Sequence, residues 1–112
     1  MTQVKDMTDQ QLNMALAELM GYTVDKGRPG RVLKGNMSSM PTDYCTDPAA
    51  SLEVQAKAIE VDASNFINRL AWIVRDRISG DMEWTNNDIA VLLNASPRER
   101  AKAAYITLSS KH

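Results

Sequence analysis

The sequence predicts a helix-rich α+β domain in which helices pack on a small antiparallel sheet. Three observations predict it. Helix-capping residues followed by apolar stripes at helical spacing recur along the chain. One turn rich in Gly and Pro separates two short β-like runs. A hydrophobic fraction of 44% and a charged fraction of 24% are those of an ordinary globular protein, not of a disordered chain. The 112 residues suffice for a single core, so residues 1–112 are read as one domain, with 1–6 and 110–112 expected to fray.

The first helix is predicted over residues 9–20. Thr8 is a favourable N-cap and Gln11 completes a capping box, with Met7 and Leu12 spaced as a hydrophobic staple. Leu12, Ala15, Leu16 and Leu19 line one face, and Gly21 supplies the left-handed residue that ends the helix. Tyr22 to Asp25 and Arg31 to Lys34 then flank Lys26-Gly27-Arg28-Pro29-Gly30, which predicts a hairpin. Residues 35–46 read as a loop without periodicity, long enough for recognition to be its role.

Asp47-Pro48 restarts helix, with Asp as N-cap and Pro at the first helical position. Leu52, Ala56 and Ile59 are expected to face the core, and the helix to run to about Val61. Between Ser64 and Ile78 two patterns compete. Phe66, Ile67, Leu70, Ala71, Val74 and Ile78 fit a helix, while Phe66, Leu70, Trp72 and Val74 also fall on one side of a strand broken at Asn68. The length of the stretch favours helix. Ser79-Gly80-Asp81 is a turn, Thr85 to Asp88 caps a short helix through Leu93, and Ser96-Pro97-Arg98-Glu99 opens the last helix. Ala101, Ala104, Tyr105 and Leu108 form its apolar stripe.

Charge and composition exclude several function classes. With 13 basic and 14 acidic residues there is no basic excess for counterion release, so general nucleic-acid binding is unexpected. The polar start MTQVKDMTDQQ has no apolar signal-peptide core, and no apolar run approaches a membrane span. A cytoplasmic protein without membrane association is expected. One Cys and one His cannot furnish a zinc ligand set, and no cofactor motif is present. Cys45, just before a helix start, could have a lowered thiol pKa; the plainer alternative is a small buried apolar residue. Glu53, Lys57 and Glu60 read as a surface ion-pair ladder, and Asp81, Glu83 and Asp88 as solvated loop charges. No acid, base or nucleophile constellation is visible, so the chain reads as non-enzymatic.

Two binding surfaces can be proposed from residue types. The turn bearing Arg28 and Arg31 has backbone amides and guanidinium groups suited to a phosphate or small nucleotide, although edge charges that prevent strand pairing look the same. Met37, Met40 and Tyr44, together with Trp84, are the large amphipathic or apolar side chains placed on loops. They suit a protein contact surface, the alternative being that they cover the core. Arg98, Arg100 and Lys102 oppose the dipole at the start of the last helix, which suggests partners elsewhere in the fold. A core this poor in aromatics is compatible with a homo-oligomer.

The block Pro41-Thr42-Asp43-Tyr44-Cys45-Thr46-Asp47-Pro48-Ala49-Ala50-Ser51-Leu52 resembles small phage and prophage proteins known as phage ABA-sandwich-domain proteins. Met7-Thr8-Asp9-Gln10-Gln11-Leu12-Asn13 with Leu19-Met20-Gly21-Tyr22 is similar to their beginning. Ala95-Ser96-Pro97-Arg98-Glu99-Arg100-Ala101-Lys102-Ala103-Ala104-Tyr105 is similar to their end. The resemblance implies helices on both sides of an antiparallel sheet, with strand somewhere between Phe66 and Trp84, where the periodicity favours helix. On the residues alone, the alternative is a nearly all-α domain with one hairpin. The resemblance further implies an accessory protein that binds a host or phage macromolecule, with inhibition of that target, host defence included, as one outcome. The alternative is a sponge for a nucleotide signal that uses Arg28, Arg31 and the 35–46 loop. The family brings no catalytic residues to this chain.

Overall fold

The structure, a computed structural model, describes residues 4–79 and 83–110. Four helices, α1 (Asp9–Leu19), α2 (Pro48–Ile73), α3 (Asn86–Leu93) and α4 (Pro97–Ser109), pack with a three-stranded antiparallel sheet. Its strands β1 (Thr23–Val24), β2 (Val32–Lys34) and β3 (Met37–Ser39) follow chain order. The helix-rich α+β expectation is met.

The helix starts are those the capping residues dictate. Thr8 Oγ1 accepts from the Gln11 amide at 3.1 Å while Gln11 Oε1 accepts from the Thr8 amide at 2.9 Å. Each satisfies a donor that an α-helix leaves orphaned. Gly21, at φ 103°, closes α1: its amide donates to the Glu18 carbonyl and that of Tyr22 to Ala17, both at 3.0 Å. Ser96 with Glu99 repeats the capping box at α4, and Thr85 with Asp88 at α3.

The hairpin forms as expected, with Thr23 opposite Leu33 and Val24 opposite Val32. The 35–46 loop does not stay irregular. Met37–Ser39 adds a third strand, its Met37 opposite Lys34 across the two-residue turn Gly35-Asn36. Gly35, at φ 64°, supplies the positive dihedral that such a turn requires at its first position. Val32 is the one fully buried strand residue, so the sheet adds little to the core. Between Phe66 and Trp84 there is no strand among the described residues. The chain there is helix to Ile73 and then a 3-10 turn over Arg75–Arg77.

A break at Asp62 (φ −162°, ψ 87°) divides α2, and Asp62 Oδ1 caps the second half by accepting from the Asn65 amide at 3.1 Å. The expected helix end near Val61 is thus a kink, beyond which the helix resumes. The face expected inward, Leu52, Ala56 and Ile59, is exposed. Ala50, Ser51, Val54 and Ala58 are buried instead. Ala101, Ala103, Ala104, Thr107 and Leu108 form the buried side of α4, and α2 with α4 is the most extensive contact in the fold. Small residues let two helix axes approach closely, so the tight contact selects the small side of α2 and turns the larger one outward.

The core is completed by Leu12 and Leu16 of α1, by Tyr44 and Cys45 ahead of α2, and by Phe66, Leu70 and Val74. Val4–Asp6, expected to fray, forms a 3-10 turn against α4. The radius of gyration, 14.8 Å, exceeds the roughly 13 Å of a compact chain this long. The extents of 50 × 28 × 23 Å show an elongated body with apolar surface left outside.

Candidate functional site

That apolar surface concentrates between α2 and α3. Phe66, Leu70 and Leu92 floor a groove of about 390 Å³, and Ile59, Ile67, Trp84, Ile89 and Leu93 rise around it. Among the described residues Gln55 is the one polar residue in its lining. Leu93 is 71% exposed and Trp84 50% exposed. Among the described residues, α3 fully buries a single side chain, that of Asp88, while Val91 and Leu92 are half-buried against the core.

Polar contacts at both ends hold α3 in place. At the N-terminal end the Asp88 carboxylate accepts from the Ser79 amide and hydroxyl, each at 2.9 Å, and from the Thr85 amide at 3.2 Å. At the C-terminal end Arg100 donates to the Leu93 carbonyl at 2.6 Å and to Gln55 Oε1 at 3.1 Å. A guanidinium at helix-terminal carbonyls is also favoured by the helix dipole. The groove is therefore a preformed feature: α3 is pinned beside α2 while its Ile89 and Leu93 remain uncovered.

Asp88 is thus a buried anchor and not the solvated loop charge expected. The amides of Ser79 and Thr85 hold its carboxyl below the usual 3.8, against the opposing effect of burial. The folded state favours the ionised form, so its stabilising contribution is complete above the unfolded value. It is lost as the pH falls through the lowered folded value. Hydrogen-exchange protection of the α3 amides should stay level above about pH 3.8 and decline progressively as the pH falls further. Loss of α3 protection near neutral pH would show that this carboxylate is not the anchor.

The other sequence-predicted residues do not converge on one place. Tyr44, read as a candidate for the contact surface, is 1% exposed and belongs to the core. Burial pushes its phenol pKa up. Met37 and Met40 are exposed, but Met40 lines a separate polar depression with Asn13, Asp43 and Thr46. Of the proposed contact residues, only Trp84 lies on the groove. Its remaining walls were missed; the signal in the sequence was the Ile89–Leu93 pair at i, i+4 on a helix too short to bury both faces.

At the basic turn Arg28 is exposed, whereas Arg31 is committed to the sheet: its Nε donates to Ser38 Oγ at 2.9 Å and its Nη2 to the Ser38 carbonyl at 2.7 Å. Asp25 Oδ1 accepts from the Gly27 amide at 3.0 Å. Ser38, then Gly27 and the charges of Arg28 and Arg31, hold the Asp25 carboxyl below its ordinary value despite some desolvation. The chain's own carboxylate thus engages the Gly27 amide that a phosphate in this turn would use.

Cys45 is buried, and its thiol is pushed up to about 11, first by desolvation and then by the Asp43 charge. The lowered value considered from its place before a helix start does not occur. Arg98 has the partners expected for it, an ion pair with Asp9 and a 2.8 Å bond to the Met7 carbonyl. Lys57 pairs with Glu60 at 3.8 Å on the surface. Asp81, the Gly80 turn and His112 lie outside the described residues. Among the described residues no group of His, Cys, Asp or Glu side chains could hold a metal, and no helix is long and apolar enough to cross a membrane.

Compared with protein-family models, with curated proteins and with solved structures, the chain matches none. The groove and its chemistry are therefore what a functional reading has to rest on.

Proposed function

We propose that this chain is a non-enzymatic binding protein whose contact surface is the α2–α3 groove. The observation that carries the reading is Leu93 and Trp84 standing exposed over an apolar floor that polar contacts keep open. A water-filled apolar groove is costly to leave uncovered, and such patches on small proteins are commonly contact sites. The three blocks that resemble phage ABA-sandwich-domain proteins support an accessory role in a phage or prophage, in the cytoplasm of a bacterial host. In that role the protein binds, and so inhibits, a host or phage protein. The nucleotide-sponge alternative has weaker support, because Asp25 and Ser38 already engage the turn that would hold a phosphate.

A photo-crosslinking amino acid in place of Leu93, introduced in bacteria, tests the reading. It should yield protein adducts on illumination, and the same probe in place of exposed Lys26 should yield none. Absence of adducts from position 93, or equal adducts from both positions, would remove the groove as the contact surface.

A further inference from the structure

We infer that the protein seated on this groove is a second copy of the chain, in a two-fold dimer. The inference rests on the reading of the groove as a contact surface and names its occupant; a host or phage target would then meet the dimer on another face. The same short element carries both halves of the interaction. Ile89 and Leu93 lie one turn apart on α3, 45% and 71% exposed, as the two anchors of a helix that could enter a groove. The groove that would take them is bordered by Ile59, Ile67 and Trp84, themselves 41–50% exposed, and on its other side by the chain's own Ile89 and Leu93, so the anchors of the two copies would also meet each other near the axis. A two-fold axis places each α3 in the partner's groove and covers both sets in one operation.

The area is what such a dimer needs. A standard interface removes about 800 Å² from each partner with roughly 60% of it apolar, which requires on the order of 500 Å² of apolar surface per chain. Ile59, Ile67, Trp84, Ile89 and Leu93, extended along the same side of α2 by Leu52, are six large side chains each 41–71% exposed. Together they supply apolar area of that order, at the upper end of the roughly 300–600 Å² found as the largest patch on a monomer. Charge does not oppose the association. The net charge is −1 per chain, and the nearby Lys57–Glu60 pair presents both signs.

Sedimentation equilibrium of the purified full chain tests the inference directly. Wild type at tens of micromolar should have twice the 12.4 kDa chain mass, and its melting temperature should rise with protein concentration. Leu93→Asp and Ile67→Asp should each weaken association by roughly 30-fold or more, the scale of a central contact. Met37→Asp, on the exposed third strand, should leave it unchanged. Leu93 is mostly solvated within one chain, so its variant keeps the wild-type circular dichroism. A wild type of single-chain mass at every concentration overturns the dimer, and so does a dimer that withstands both groove substitutions. Adducts from position 93 that hold only a different protein would overturn the second copy while leaving the groove as a contact surface. No adducts of any kind would remove both.

Discussion

Replacing Tyr44 by alanine should cost about 3–5 kcal/mol of unfolding free energy, the range for removing a fully buried aromatic ring. For a domain of this size that lowers the melting midpoint by more than about 10 °C. Trp84→Ala, measured beside it, should cost no more than about 1 kcal/mol in the single chain, because half of that indole is already in water. The contrast follows from placement. Tyr44 lies beside Cys45 ahead of α2 and is sealed under the core, its amide donating to the Thr42 carbonyl at 3.0 Å. Cavity formation at such a site adds to the lost transfer energy, since the helices around it cannot collapse inward. Urea denaturation of both variants checks the result. Equal, small losses would return Tyr44 to the surface.

The same residue shows where the sequence was legible and where it was not. Local signals were read well: Thr8 with Gln11, Thr85 with Asp88, and Ser96 with Glu99 each mark a helix start, because a cap depends only on neighbours in the chain. The Lys26 to Gly30 turn was legible for the same reason. The third strand was hidden because Met37-Ser38-Ser39 lacks the β-branched or aromatic residues that signal a strand, although Gly35-Asn36 was a hairpin turn signal. The inward face of α2 is not legible from residue size, because ahead of the break at Asp62 the larger side chains are the ones that end up outside. Close approach to α4 reverses size as a guide, taking Ala50 and Ala58 in and leaving Leu52 and Ile59 out. That reversal is also why the groove was invisible. It exists only because α3, tethered by Asp88 and Arg100, is held beside α2 where Ile59 and Ile67 face outward next to Phe66 and Leu70, a relation between elements that no local pattern encodes.

Phe66→Ala and Trp72→Ala form the second pair with a large expected contrast, and they test the segment whose sequence fits two periods. If residues 64–78 alternated as a strand, Phe66, Leu70, Trp72 and Val74 would share one face and both substitutions would be severe. In the helix, Phe66 is 2% exposed and Leu70 is buried beside it, while Trp72 is 62% exposed and stacks on Arg75, whose guanidinium lies 4.1 Å from the ring centre. Phe66→Ala should therefore cost about 3–5 kcal/mol. Trp72→Ala should cost about 1 kcal/mol or less, the worth of an exposed cation–π contact. Phe66 also floors the groove, so its loss should loosen the seat of α3, and protection of the α3 amides should fall further than that of α1. Comparable losses from the two substitutions would mean that Trp72 points inward, and the break at Asp62 would then lead into something other than the second half of a helix.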